Sequence, residues 1–293
     1  MTLGEFYKRH ESEITKAIND ALKEDKVRSD VTTSLFFKSM KGERLTKAVL
    51  LCKEDCILSG IDIFKKVFKI LYPSTIFRGH YKDGDRIRNK SVVLEVKSPL
   101  RILLEGERTA LNFVQRMSGI ATLTNVFVNR LKYQNAKILH TRKTTPNFRL
   151  FELAAVKTGG GDFHRFDLSS SVMIKDNHIM AAGSMDKALE IIRCKKTDER
   201  LKNRFEIEVK TMTELKQVVK KAKGIVKIVM LDNFQKSQIP EAVKILKKNK
   251  IKTELSGGLN LLNFDKLQQK DIDYYSVGML THSYKSADFS LEF

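Results

Sequence analysis

At 293 residues with 42% hydrophobic content, the chain is long enough to bury one large core or two smaller ones and too apolar to remain disordered. Its 54 Lys and Arg against 35 Asp and Glu give a formal charge of +19, which invites a nucleic-acid reading; yet the basic residues are spread along helix faces in short runs such as Lys65–Lys66, Lys195–Lys196 and Lys247–Lys248, with no zinc-finger spacing, RNP-like aromatic motif or isolated basic arm, so a lysine-rich solvated surface is the favoured reading and specific nucleic-acid binding is not expected. Apolar runs such as AVLLC and IVML are far too short to span a bilayer, and the charged start MTLGEFYKRHESEITK lacks the apolar core and cleavage site of a secretory signal, so the expectation is no membrane association and a cytoplasmic location.

In chain order, Phe6, Ile14, Ala17, Ile18, Ala21 and Leu22 recur at broadly helical spacing and predict one helix over Gly4–Glu24. From Arg44 to Leu104 the texture changes to short β-like runs (TKAVLLC, CILSG, TIFRG, RIRN, SVVLEV) with the turn signal YKDGDRI and one helix over Asp62–Leu71, an α+β module. Cys52, Cys56 and Cys194 are odd in number and lack C-x-x-C spacing, so they read as reduced packing residues and not metal ligands. The stretch EGERTALNFVQRMSGIATLTNVFVNRLKY, starting at Glu105, predicts a long helical linker broken near Gly119.

Beyond it, six apolar strands (AKILHT, SVMIKD, FEIEV, VKIVMLD, KTELSG and DYYSVG) alternate with amphipathic helices. That alternation specifies a parallel sheet with right-handed crossovers, curled as an open or closed α/β barrel; a doubly wound sheet is the alternative.

The polar residues at the strand ends point to chemistry. AKILHT runs into Arg142 and Lys143; SVMIKD carries Lys175 and Asp176; FEIEV carries Glu208; VKIVMLD ends in Asp232; KTELSGG ends in Ser256, Gly257 and Gly258; DYYSVG ends in Gly278. One polar strand end is ordinary solvation, but six at the same end of a parallel sheet mark the rim where such folds bind ligands. Glycine turns after the last two strands expose backbone N–H groups that suit a phosphate. The segment GGGDFHR adds His164 and Arg165 to the cations, a set that repels itself unless a multiply charged anion neutralises it. Glu208 and Asp232 oppose that field; beyond pairing with lysines, they suit ribose hydroxyls, a magnesium ion or a developing positive charge.

These motifs, together with EDKVRSDVTT near the start, GERTALNFVQRMSGIAT, TRKTTPNFR, IKDNH, EIEV, MLDN, ELSGGL and SVGMLTHS, resemble over nearly the whole chain the quinolinate phosphoribosyltransferase family, the carboxylating nicotinate-nucleotide pyrophosphorylases. The resemblance implies an N-terminal α+β sandwich domain over residues 1–115, followed by an open, incomplete TIM-like parallel α/β barrel over 116–279, with the tail at about 280–293 returning to the first domain. It implies transfer of phosphoribosyl from phosphoribosyl pyrophosphate to quinolinate with loss of carbon dioxide, giving nicotinate mononucleotide for NAD synthesis.

By the same resemblance, Arg142, His164 and Arg165 clamp the quinolinate carboxylates, joined by Arg108 reaching into the partner's site of a homodimer with shared active sites. Thr141, Lys143 and Lys175 contact the substrates; Lys143, Lys175, Glu208 and Asp232 form the catalytic set, with Lys175 foremost of the two lysines in the chemical step; Glu208 and Asp232 sit near ribose and Mg2+, and Ser256, Gly257, Gly258 and Gly278 cradle the 5-phosphate. Asn147, Leu153, Asp167, Ser170 and Leu255 depart from the residues usual in the family. A nicotinate or nicotinamide phosphoribosyltransferase is the nearest alternative, but a monocarboxylate or neutral base leaves the four-residue cationic clamp over-provisioned. A basic nucleic-acid-binding protein explains the charge but not the acidic pair.

Overall fold

A computed structural model describes residues 1–37, 45–194 and 205–293; the Lys195–Lys196 pair among the basic runs lies outside them. The described chain forms two compact units, one of Met1–Val126, Thr144–Gly160 and Leu280–Phe293, the other of Phe127–Lys143 and Gly161–Met279. Among the described residues no helix is long and apolar enough to cross a membrane.

The chain begins with α1 (Leu3–Arg9), α2 (Glu11–Glu24) and α3 (Val31–Phe37). The single helix expected over Gly4–Glu24 is therefore two. His10 leaves the helical backbone at ψ 21°, its N–H closes the first helix on the Phe6 carbonyl, and its ring meets Glu13 at 3.0 Å. There follow β1 (Leu45–Cys52), β2 (Cys56–Ile57), α4 (Ile61–Leu71), β3 (Ile76–Arg78), β4 (Arg86–Ile87), β5 (Val92–Pro99) and α5 (Leu100–Asn129). The strands expected between Arg44 and Leu104 all form. They make an antiparallel sheet in the order β12-β1-β5-β3, where β12 (Phe289–Glu292) is the returning C-terminal strand, and a separate β2-β4 pair. Cys52 and Cys56 are buried with their sulfurs 3.6 Å apart, while Cys194 is exposed and so is not a packing residue.

Helix α5 corrects the expectation of a broken linker. It runs unbroken for 30 residues, and Leu103, Ala110, Leu111, Val114 and Met117 are buried core positions, each such side chain contributing roughly 1.5–3 kcal/mol where it is large. Gly119 is there for space: a Cβ would lie 2.2 Å from the Lys285 carbonyl oxygen of the C-terminal tail. Glycine costs the helix about 1 kcal/mol relative to alanine, which the close approach of the tail requires.

The second half continues with β6 (Lys137–Leu139), α6 (Arg149–Thr158), β7 (Val172–Ile174), α7 (Asp176–Ala182), α8 (Met185–Cys194), β8 (Phe205–Val209), α9 (Met212–Lys221), β9 (Ile228–Asp232), α10 (Ile239–Lys248), β10 (Lys252–Ser256), α11 (Phe264–Leu267), β11 (Tyr274–Ser276) and α12 (Met279–His282). All six expected strands are present and parallel, in the order β6-β11-β10-β9-β8-β7. The GGGDFHR segment adds a parallel bridge between Asp162 and Leu139 beside β6. Alternation sets the two faces: Ile207, Val209, Val229, Leu231 and Leu255 are buried on the side covered by helices, with α9 packed on β8 and α10 on β10. The opposite face is left to Glu206, Glu208, Asp232, Glu254 and Ser256.

Candidate active site

Register aligns the strand ends. Glu208 lies opposite Met230, and Asp232 opposite Ser256, so the acidic residues of β8 and β9 and the serine of β10 climb one end of the sheet in steps. Lys175 follows β7 directly, and its Nζ donates to Glu208 Oε2 at 2.5 Å; Glu208 is 7% exposed. Next to them, Asp232 Oδ2 accepts from the side-chain amide of Asn233 at 3.0 Å, and the Asn233 N–H donates to the Ser256 carbonyl at 3.1 Å.

That contact shapes the glycine turn. Gly257 and Gly258 take φ of +94° and +60°, and a Cβ on Gly257 would lie 2.5 Å from Asn233 Cγ. The turn is further pinned because Asn260 and Asn263 both donate to the Gly258 carbonyl, at 3.1 and 2.8 Å. Glycine backbone of this kind suits an anion cradle, which requires N–H groups without side chains in front of them.

The cations crowd together. Thr141 Oγ1 accepts the Lys143 N–H at 3.1 Å, a local turn that sends Lys143 outward, exposed. Burial and the like charge of Arg142 hold the Arg165 guanidinium below the ordinary arginine range, and Arg165 Nε is buried without a hydrogen-bond partner. An unpartnered buried donor beside a second guanidinium is what a carboxylate would satisfy. The segment carrying Arg165 turns through Asp167, whose carboxylate accepts from the backbone and hydroxyl groups of Ser169 and Ser170; those bonds hold its pKa down at about 2. Asp167 and Ser170, two of the departures from the family pattern, thus build one turn together.

His164 is held through its ring by two inward-facing carboxylates. Its ring Nε2 lies 3.0 Å from Glu254 Oε2 and 3.2 Å from Glu206 Oε2, inside the second unit. Its own N–H donates to His140 Nε2 at 3.0 Å, and Ser276 Oγ donates to Glu254 Oε1 at 2.6 Å. Burial alone would lower the His164 pKa, but its hydrogen bonds to Glu206 and Glu254 and their charges outweigh it and raise it to about 10. Burial and the Glu254 carboxylate push Glu206 up to about 7. The three ligand atoms lie within 4.8 Å of one another, near enough to surround a metal ion, but the imidazolium N–H already serves both carboxylates.

Glu206, Glu254, His140 and Ser276 were missed in the sequence, although the signal for the two glutamates was present. In FEIEV, residues 206 and 208 share a face, and in KTELS residues 254 and 256 do, so a second carboxylate pointed inward with each chosen residue. Of the expected site residues, Thr141, Arg142, Lys143, His164, Arg165, Lys175, Glu208, Asp232, Ser256, Gly257, Gly258 and Gly278 belong to the second unit, whereas Arg108 lies exposed on α5 in the first.

Within the first unit, the end of the TRKTTP motif has its own frame. Arg116 stacks on the rings of Phe148 and Tyr284, 4.9 and 5.5 Å from their centroids, and donates to Thr145 Oγ1 at 3.0 Å. The Thr145 N–H donates to the fully buried Glu152 at 3.1 Å. Asn147 takes φ +62°, the left-handed region in which Asn is the usual substitute for Gly, which accounts for its departure from the family pattern. Leu153 is buried on α6, and Leu255 is buried on the helix-covered face of its sheet. The glycine run is also partly structural: a Cβ on Gly159 would lie 2.3 Å from the Ala121 carbonyl oxygen, so this glycine admits α5 and not a ligand.

Comparison with known proteins adds to this geometry. Residues 30–118 match the family Quinolinate phosphoribosyl transferase, N-terminal domain, and residues 120–292 its C-terminal domain. The chain is 38% identical over 282 residues to the probable nicotinate-nucleotide pyrophosphorylase (carboxylating) of Bacillus subtilis (strain 168), covering 96% of this chain and 93% of the relative. It is 37% identical over 259 residues to quinolinate phosphoribosyltransferase (decarboxylating) 1b of Nicotiana tabacum, covering 84% of this chain and 73% of that protein. Among solved structures, NadC from Streptococcus pyogenes superposes with a TM-score of 0.86 at 38% identity, covering 96% of this chain and 95% of that one.

Proposed function

The chain belongs to the quinolinate phosphoribosyltransferase family, and we propose that the cationic strand-end rim of its second unit holds quinolinate and phosphoribosyl pyrophosphate for the reaction of that family. The enzyme joins the ring nitrogen of quinolinate to the anomeric carbon of phosphoribosyl pyrophosphate, releases pyrophosphate and carbon dioxide, and forms nicotinate mononucleotide, a step of NAD synthesis. The observation that carries the assignment of the site is the alignment of the Lys175–Glu208 pair, Asp232 and the left-handed Gly257–Gly258 turn at one end of a parallel sheet.

Arg142 and Arg165 hold the two carboxylates of quinolinate, a role supported by the crowding of the two guanidinium groups and the unpartnered Arg165 Nε. Lys143, turned outward by Thr141, reaches the pyrophosphate of the second substrate. The Gly257–Gly258 turn, with Ser256 and the backbone at Gly278, cradles the 5-phosphate.

With both substrates held, the ring nitrogen faces the anomeric carbon in line with the departing pyrophosphate. As the carbon–oxygen bond breaks and the carbon–nitrogen bond forms, the sugar takes on oxocarbenium character, which Glu208 and Asp232 stabilise electrostatically. Lys175 offsets the Glu208 charge in the ground state and is available to the leaving group. The ribosylated ring nitrogen is then positive and adjacent to the carbon carrying the 2-carboxylate. When that carbon–carbon bond breaks, the electron pair remains on the ring carbon as an ylide, and a proton from water completes nicotinate mononucleotide.

Glu208 and Asp232 provide hard carboxylate oxygens, each with a second oxygen beyond its bond to Lys175 or Asn233, a donor set that fits Mg2+ bound mainly by water and substrate phosphate. Bound there, Mg2+ would neutralise charge on the pyrophosphate. Arg108, exposed on α5, completes the clamp of a partner chain in a homodimer with shared sites.

The test is release of labelled carbon dioxide from 2-carboxyl-labelled quinolinate by the purified protein with Mg2+ and phosphoribosyl pyrophosphate, and nicotinate as rival acceptor in parallel. Release that requires phosphoribosyl pyrophosphate, with nicotinate mononucleotide formed and nicotinate untouched, is expected; turnover of nicotinate alone would overturn the reading.

A further inference from the structure

We propose that Glu206 and Glu254 are positioning residues for quinolinate binding, which orient the His164 ring from behind and keep it cationic so that its Nδ1–H meets a substrate carboxylate. This rests on the assignment of the strand-end rim to quinolinate.

The geometry is specific. Glu206 comes from β8 and Glu254 from β10, two strands separated by β9, and both reach the same ring nitrogen, at 3.2 and 3.0 Å. Sharing Nε2 leaves Nδ1 as the ring nitrogen for a ligand. The two carboxylates are 3% and 0% exposed. Buried carboxylates are costly, and apolar residues of similar volume would pack there at least as stably, so stability alone does not account for them.

The whole assembly is braced. Ser276 donates to Glu254, His140 accepts the backbone N–H of His164, and the bridge between Asp162 and Leu139 holds the segment that carries the ring. The charged groups around this segment are Arg165 next in the chain, the Lys137–Asp162 pair at 2.7 Å, and Lys175 with Glu208 at the ends of β7 and β8. The His164 ring itself meets Glu206 and Glu254. A cavity of about 330 Å³ lined in part by His164, Arg165, Glu206 and Asp162 gives water access for proton exchange.

A neutral imidazole would present either a donor or an acceptor at Nδ1, according to its tautomer; an imidazolium always presents a donor. Fixing the charge therefore fixes the contact to a carboxylate, and it does so from a layer that does not itself touch the substrate.

The experiment is an NMR titration of the histidine rings in the full-length protein, combined with kinetics of wild type, E254Q, the double variant E206Q/E254Q, and H164Q with and without E206Q. In wild type, His164 stays protonated through pH 9. In the double variant burial is left unopposed and the ring titrates below the ordinary histidine value of about 6.5, so at pH 8 less than about 3% is protonated and KM for quinolinate rises at least about 30-fold. KM for phosphoribosyl pyrophosphate stays within about twofold, quinolinate KM falls back toward the wild-type value as pH is lowered to 5.5, and E206Q adds less than about twofold in the H164Q background. Should the double variant fail to fold, E254Q alone shows the same pH-dependent direction. A wild-type His164 that is neutral at pH 7.5, or a loss of quinolinate affinity equal at pH 5.5 and 8, overturns the proposal. Wild-type turnover separates this failure from that of the functional reading: it disappears only if the reaction assignment is wrong.

Discussion

Lys175 and Glu208 meet at 2.5 Å across neighbouring parallel strands, placing an ammonium and a buried carboxylate together at the end of β7 and β8, where we propose that the anomeric carbon binds. Lys175→Ala leaves that carboxylate unpaired and removes a cation from the leaving group. It is expected to lower kcat by about 10²–10³-fold, the scale of losing one preorganised electrostatic donor. Steady-state kinetics check this; a loss confined to KM would show that the lysine binds substrate without acting in the chemical step.

The Gly257 turn has no room for a side chain, since φ is +94° and a Cβ would lie 2.5 Å from Asn233. Gly257→Ala is expected to cost about 1–3 kcal/mol of stability from backbone strain and to raise KM for phosphoribosyl pyrophosphate more than KM for quinolinate. Thermal unfolding and the two KM values measure both parts. An equal rise in both KM values would argue against a phosphate cradle at this turn.

Subunit mixing tests the shared site. Arg108→Ala and Arg142→Ala proteins are each expected to be nearly inactive. After exchange, half the dimers are mixed and each has one intact site, so activity should return to about a quarter of wild type by the symmetry of a two-fold dimer. No return despite measured exchange would place Arg108 outside the clamp.

The buried His164 cluster also sets a pH dependence of stability. The folded His164 pKa is raised to about 10, so its contribution is fully present below the unfolded value of about 6.5 and is lost as pH rises toward 10. Glu206, raised from 4.5 to about 7, shifts stability in the same direction over a lower window: its ionisation in the folded state is opposed, and stability falls as pH rises from 4.5 to 7. The difference in Tm between wild type and H164Q is therefore expected to shrink from pH 6.5 to 10. A difference that stays flat across that range would mean the imidazolium is not held by its carboxylates.

Gly119→Ala tests the tail. The added methyl meets the Lys285 carbonyl at 2.2 Å, so the tail must move, at an expected cost of about 1–3 kcal/mol for overpacking. Hydrogen exchange should show faster opening of β12, which pairs with β1 through Leu50–Leu291 and its neighbours. Unchanged protection of Leu291 would show that the helix yields instead of the tail.

Much of this protein is legible in its sequence. Six β-branched runs became six parallel strands, and Lys175, Glu208, Asp232, Ser256 and the paired glycines fell at one end of them, because a strand of period two and a right-length helix leave few ways to pack. The ordered motifs carried the family and its reaction. The misreadings were local or long-range: His10 divides one expected helix through its cap, and Gly119 signals a neighbour in space and not a break in its own helix.

Alternation along FEIEV and KTELS could say that Glu206 faces with Glu208 and Glu254 with Ser256, but not that strands two places apart would bring both inner carboxylates to one nitrogen of His164. Local sequence encodes periodicity and turn chemistry because these depend on neighbours in the chain. Which buried charges meet depends on register and curvature of the whole sheet, and that is settled only when the core closes around them.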